Sequence, residues 1–157
     1  MAVIIPFLWF DDQAEEAANH YTSIFKNSQV VDVQRYGDEG PGPAGAAMLV
    51  TFELEGQEFI ALNGGPQFTF NEAISFYTSC SSQAEVDALW YGLCDGGSEG
   101  QCGWLKDRYG VSWQIVPTVL TDLLADPDPA RAGRVMQAML GMGRIDIQGL
   151  RDAYQGA

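Results

Sequence analysis

Hydrophobic and polar residues along this chain follow two rhythms, a strand-like alternation and a helical three-and-four spacing. Val3 to Phe10 is a nearly continuous apolar run and reads as a buried strand. Asp11 or Asp12 can cap a helix that follows, and Glu15 and Glu16 suit its first turn. Ala14, Ala17, Ala18, Tyr21, Ile24 and Phe25 then fall on one helical face, and Asn27 and Ser28 end the helix. Gln29 to Tyr36 reads as a strand with Val31 and Val33 in alternation. Residues 37–45, GDEGPGPAG, form a loop. Ala46 to Glu55 and Gln57 to Asn63 make a hairpin around Glu55-Gly56, and Gly64-Gly65-Pro66 breaks the pattern.

The pattern then restarts. Ala73 to Cys80 reads as a strand, Ser81 or Ser82 as a cap, and the next helix runs through Leu93 to the Gly96-Gly97 stop. GWLKDRYGVSWQIVP, residues 103–117, is strand, turn and strand. Asp107 and Gly110 take the first and last positions of its four-residue turn. Trp113 and Gln114 are adjacent, so they point to opposite faces of a sheet. Gln13-Ala14-Glu15 recurs as Gln83-Ala84-Glu85, Ala18 as Ala88 and Tyr21 as Tyr91, all at an offset of 70, which suggests an internal repeat. Each half reads as strand, helix and two or three strands, so the fold class is α+β. Two such halves (about 1–66 and 70–117) imply a cleft between them. Residues 118–157 read as a helical extension of the same domain. Its helices are Val119 to Ala125, Ala130 to Met142 after the Asp126-Pro127-Asp128-Pro129 turn, and Ile145 to Tyr154. Val135, Met136, Met139 and Leu140 share one side of the second, for packing onto the sheet or a second subunit.

Composition narrows the field of partners. The 157 residues, 46% hydrophobic and 18% charged, suit one soluble domain with a sizeable core. A net charge of −13 repels nucleic acid and anionic lipid, so neither is expected as a partner. The first ten residues are too few to span a membrane, and no basic region precedes them, so a cytoplasmic location is expected. Cys80, Cys94 and Cys102 form no CxxC and, with one His in the chain, no zinc pattern, so they read as small buried hydrophobes.

Gln114 is the leading candidate for contact with a ligand. Asn63, Gln67 and Phe68 flank a Gly-Gly break that lets a backbone approach a ligand or simply links the halves. Trp90 and Trp104 can stack a planar ligand or fill the core. His20 lies on the first helix and reads as structural. Asp107 and Arg108 read as turn chemistry, and neither Cys80 nor Cys102 has an evident His to activate it.

The segments DRYGVSWQIVP, LNGGPQF and MGRIDIQGL resemble the PhnB-like group, also labelled 3-demethylubiquinone-9 3-methyltransferase-like, of the vicinal oxygen chelate superfamily. The resemblance spans nearly the whole chain. It implies two βαβββ modules forming a glyoxalase-like curled sheet with a cleft, and a homodimer. Metal-dependent relatives place His, Gln or Glu at four positions. Here these fall on Ile5, on Ser75, near Ala61 with Asn63 the closest polar residue, and on Gln114. Isoleucine has no lone pair and serine is a poor ligand for transition metals, so no metal and no cofactor is expected. The Gly-rich segment precedes a strand rather than a helix, so no S-adenosylmethionine motif supports the methyltransferase label. The resemblance implies a protein that binds a small organic molecule in the cleft, with Gln114, Asn63, Ser75, Gln67, Phe68 and Trp104 as candidate contacts. One alternative is a small-metabolite isomerase, lyase or transferase with an atypical metal or cofactor site. Another is a drug-sequestering resistance protein of the bleomycin-binding type.

Overall fold

The computed structural model describes residues 1–156. The chain divides into two compact units, Met1–Phe70 and the remainder from Asn71. The first contains β1 (Phe7–Phe10), α1 (Ala14–Ile24), β2 (Ser28–Arg35), β3 (Ala47–Leu54) and β4 (Gln57–Asn63). Its strand order is β1-β4-β3-β2, with β1 parallel to β4 and the other pairs antiparallel. The second contains β5 (Ser75–Cys80), α2 (Gln83–Cys94), β6 (Ser98–Glu99), β7 (Trp104–Lys106) and β8 (Ser112–Pro117). Its order, β5-β8-β7-β6 with β5 parallel to β8, repeats the first. The expected α+β pair of βαβββ modules is what the chain forms. In the first unit Leu8, Phe10, Val50, Phe52, Phe59 and Ala61 form the buried sheet face, and α1 buries Ala14, Ala17, Ala18 and Tyr21. Glu55 and Gly56, at φ 50° and 83°, make the tight β3–β4 turn that matches strand twist.

Several local expectations fail for identifiable reasons. The N-terminal run is a strand over only four residues, and Val3 and Ile4 are 76% and 90% exposed. Pro6 has no N–H to donate, and continuing the β1–β4 register would set Val3 opposite Gly56, in the hairpin turn. Neither Asp11 nor Asp12 caps α1. The N-cap is Gln13, which makes no side-chain cap bond, and Asn63 Oδ1 accepts from Ala14 N at 2.7 Å instead. Val31 does not alternate with Val33 into the core. The β2–β3 register shifts between Val30 and Asp32, and Val31 is left 51% exposed.

The repeat is one of architecture, and its residue matches fall out of phase. Three residues link β1 to α1 but only two link β5 to α2. The strands therefore correspond at an offset of 70 (Phe10 and Cys80) and the helices at 69 (Tyr21 and Trp90, both buried). Tyr91, the sequence match of Tyr21, is 58% exposed. A one-residue step turns a helix by about 100°, so matches at the strand offset land on a different helix face.

The second unit also includes α3 (Thr118–Leu124), α4 (Pro129–Leu140) and α5 (Ile147–Gln155). Val116, Leu120, Val135, Ile145 and Leu150 share one buried cluster there. Asp128 caps α4 and Asp146 caps α5. Gln83 of α2 holds the segment before α5, donating to Ile145 O (3.0 Å) and accepting from Ile147 N (2.8 Å). Arg144 pairs with Asp87 at 2.7 Å. The apolar stripe expected on α4 splits in two. Val135 is buried and Met139 packs against the cluster, but Met136 and Leu140 are 40% and 52% exposed. Of the cysteines only Cys80 is buried; Cys94 and Cys102 are intermediate, and all three are free. Among the described residues, no helix is long and apolar enough to cross a membrane.

Candidate functional site

The β7–β8 hairpin is built around Asp107. Gly110 N donates to Asp107 O at 3.0 Å, as the turn pattern predicts. Sequence reading did not anticipate the buried role of its carboxylate, which is only 2% exposed. Oδ1 accepts from Tyr109 N (2.9 Å) and Val111 N (3.0 Å), and Oδ2 accepts from Trp113 Nε1 (2.9 Å). One carboxylate thus pins both the turn and the indole of the next strand. Trp113 is 3% exposed and lies on the same sheet face as Leu105 and Ile115. Gln114 is therefore turned to the opposite face, half-buried.

On that face, strand pairing sets Gln114 beside Tyr77 of β5 and Trp104 of β7. Two residues earlier, Ser112 lies beside Ser75 and Lys106. Gln114 Nε2 donates to Ser75 Oγ at 2.9 Å. Ser112 is 1% exposed, and its Oγ has no hydrogen-bond partner among the described residues. Lys106 pairs with Glu72, whose carboxyl is held below the ordinary range first by that hydrogen bond, then by a backbone hydrogen bond and by the charge of Lys106. Ser75, Trp104 and Gln114 are thus three candidates that the fold brings together. Ser112, Tyr77 and Lys106 were not singled out from sequence. Period-two alternation back from Gln114 reaches Ser112, but only the pairing register reveals the other two.

The remaining three candidates belong to the first unit. Asn63 has both ends of its side chain engaged there, through Ala14 N and, from Nδ2, Ala47 O at 3.0 Å. Phe68 packs edge-on against Trp9 with ring centroids 5.0 Å apart, and Gln67 is exposed. At the Gly-Gly break the backbone is pressed against the indole of Trp9. A Cβ on Gly64 would sit 2.4 Å from that ring, and Trp9 Nε1 donates to Gly65 O at 2.9 Å. Trp90 is core, with its Nε1 donating to Glu99 Oε1 at 3.0 Å. His20 is half-buried on α1, its ring tilted beside Tyr21.

The register also corrects the position expected near Ala61. Phe7 is opposite Ile60 as Tyr77 is opposite Gln114, so Ile60 is the counterpart of Gln114. Ala61 is fully buried on the helix-side face, because one step along a strand reverses the face. The metal-ligand positions implied by the resemblance thus hold Ile5, Ile60, Ser75 and Gln114. These side chains supply no imidazole and no carboxylate, and the two polar ones bond to each other. Within the second unit, the Ser75–Gln114 pair does not by itself fit a divalent transition metal. Among the described residues no three His, Cys, Asp or Glu side chains cluster as metal ligands.

Comparison with known proteins places this architecture. The family model for 3-demethylubiquinone-9 3-methyltransferase matches residues 2–116. The chain belongs to this family. Its members include PhnB-like proteins. The PhnB protein from Bacillus cereus is 38% identical, with a TM-score of 0.70, over 74% of this chain and 100% of its own. Protein PA1353 from Pseudomonas aeruginosa is 22% identical, with a TM-score of 0.63, over 74% of this chain and 98% of its own. The fosfomycin resistance protein FosX from Listeria monocytogenes, solved with Mn(II) and sulfate, shares the fold at 14% identity and a TM-score of 0.52, over 71% of this chain and 88% of its own. No curated protein matches the chain. In this PhnB-like chain the family match stops at residue 116, so α3, α4 and α5 lie beyond it.

Proposed function

We propose that this PhnB-like chain binds a small organic molecule on the Ser75–Gln114 face of its second unit, without a divalent metal, as a cytoplasmic homodimer. The observation that carries this reading is the hydrogen bond from Gln114 Nε2 to Ser75 Oγ. It joins the two polar side chains that stand at family metal positions. A metal would need their lone pairs, and neither side chain is an imidazole or a carboxylate. What the pair offers instead is directional hydrogen bonding next to an aromatic surface, the usual makings of a small-molecule contact. Asn63, Gln67 and Phe68 are weaker candidates, since Asn63 is occupied as a cap and Phe68 packs on Trp9. The superfamily resemblance supports the dimer, and three free cysteines suit a reducing compartment.

The test is elemental analysis of the purified protein together with mass spectrometry of what it releases on denaturation. A substoichiometric metal content and a released organic compound, absent from Gln114→Ala, are expected. A stoichiometric transition metal that survives dialysis and is lost in Gln114→Ala would overturn the metal-free reading.

A further inference from the structure

We infer that the Ser75–Gln114 face selects a planar, neutral group that presents a hydrogen-bond donor beside an acceptor, such as a carboxamide or lactam, laid against Trp104. This rests on the proposed ligand site and names the chemistry the site takes.

The argument starts from hydrogen-bond capacity. A primary amide has two donors and one acceptor, and a hydroxyl has one donor. Gln114 Nε2 donates to Ser75 Oγ, so the Ser75 O–H remains to donate, and Gln114 Oε1 remains to accept. Turning the amide over exchanges the roles, with Ser75 donating to Oε1. Then the serine oxygen accepts and the amide N–H donates. Either way the pair presents at least one donor next to an acceptor, and a carboxamide edge is its complement.

Burial and charge narrow the choice further. Ser112 Oγ is buried, unpartnered among the described residues, and two residues from Gln114 on the same face. A buried hydroxyl without a partner is costly, and at this burial an occupant reaches it only if the Ser112 side chain moves into the open. The charged groups that strand pairing and its ion pair place here, Lys106 and Glu72, neutralise each other. Among the described residues of the second unit, strand pairing places no other charged side chain on this face. Trp104, half-buried and directly across from Gln114, supplies the surface for a flat ligand.

The test uses four probes of one shape, namely benzamide, N,N-dimethylbenzamide, benzoate and benzamidine. Binding is read from the side-chain amide resonances of Gln114 and the indole N–H of Trp104. Benzamide is expected to shift both saturably. Dimethylbenzamide lacks the donor and benzoate carries charge, so each binds about tenfold more weakly or worse. In Gln114→Glu the Ser75 hydroxyl turns to the carboxylate, so the pair no longer offers a donor to the amide carbonyl. The preference then reverses, with benzamidine binding more tightly than benzamide. Thermal unfolding shows whether that variant folds, and Ser75→Ala, which removes the hydroxyl without adding charge, gives a second route to the same loss. Dimethylbenzamide or benzoate binding wild type as tightly as benzamide overturns the assigned class and leaves the ligand site standing. If no probe moves either resonance and no organic compound co-purifies, both readings fall.

Discussion

The two modules share one strand order and differ in what their sheets turn away from the helix. In the first, that face carries Phe7, Trp9, Leu49, Ile60 and Leu62 at the end near β1, with Thr51, Glu53 and Glu58 further along the β3–β4 hairpin. In the second it carries Ser75, Tyr77, Trp104, Lys106, Ser112 and Gln114. The helix-side faces are alike, both apolar and both closed by a buried aromatic, Tyr21 on α1 and Trp90 on α2. Architecture is thus maintained by one face of each sheet, leaving the chemistry of the other free to diverge. The modules also differ in how they secure their ends. The first caps α1 with Asn63, 49 residues away, and turns β3 into β4 with Glu55-Gly56. The second caps α2 locally with Ser82 and turns β7 into β8 around a buried carboxylate.

The largest expected effect follows from the turns. Asp107→Ala removes the acceptor of three hydrogen bonds, two from the backbone and one from buried Trp113. It should cost about 3 kcal/mol or more. Glu55→Ala, at the corresponding turn of the first module, should change stability by less than about 0.5 kcal/mol. Urea unfolding of both variants measures the contrast, and equal losses would mean that the second turn is no more constrained than the first.

Next come the caps. Asn63→Ala frees Ala14 N and Ala47 O together and should cost about 2 kcal/mol. Ser82→Ala removes a single local cap and should cost about 1 kcal/mol. If Ser82→Ala proves the more damaging, the long-range cap is not what secures α1.

The smallest effect is chemical. Every cysteine lies in the second unit, so thiol labelling reports on that unit alone. Burial, and secondarily the charge of Glu85, pushes the Cys80 thiol up to about 11. Burial and then Glu99 do the same for Cys94. A raised thiol pKa keeps the reactive thiolate scarce below it, so both should react slowly at pH 8 and speed up tenfold per pH unit towards 11. Fast labelling of Cys80 at pH 8 would show that the second unit opens readily.

Much of this was legible in the residues. Asp107 and Gly110 announce their turn, Ser82 its cap, Glu55-Gly56 its hairpin, and Trp113-Gln114 an opposition of faces. These are local signals, decided by φ preference, hydrogen-bonding reach and strand alternation within a few residues. The misses have a common cause. Asn63 as the cap of α1, the bulge at Val31 and the fraying before Phe7 each depend on a partner far away in sequence. The repeat at 70 was legible as a repeat, but the missing linker residue that turns α2 was not.

The order of the main elements, two halves of strand, helix and two or three strands, and the isolation of Gln114 from the apolar core were determined by sequence alone, through period and turn chemistry, while the short β6 was not. Only the tertiary structure decided what stands beside Gln114. Its partners Ser75, Tyr77, Trp104 and the neighbouring Ser112 come together through strand register. Register is a long-range choice, and a shift of one residue would send each of these side chains to the other face.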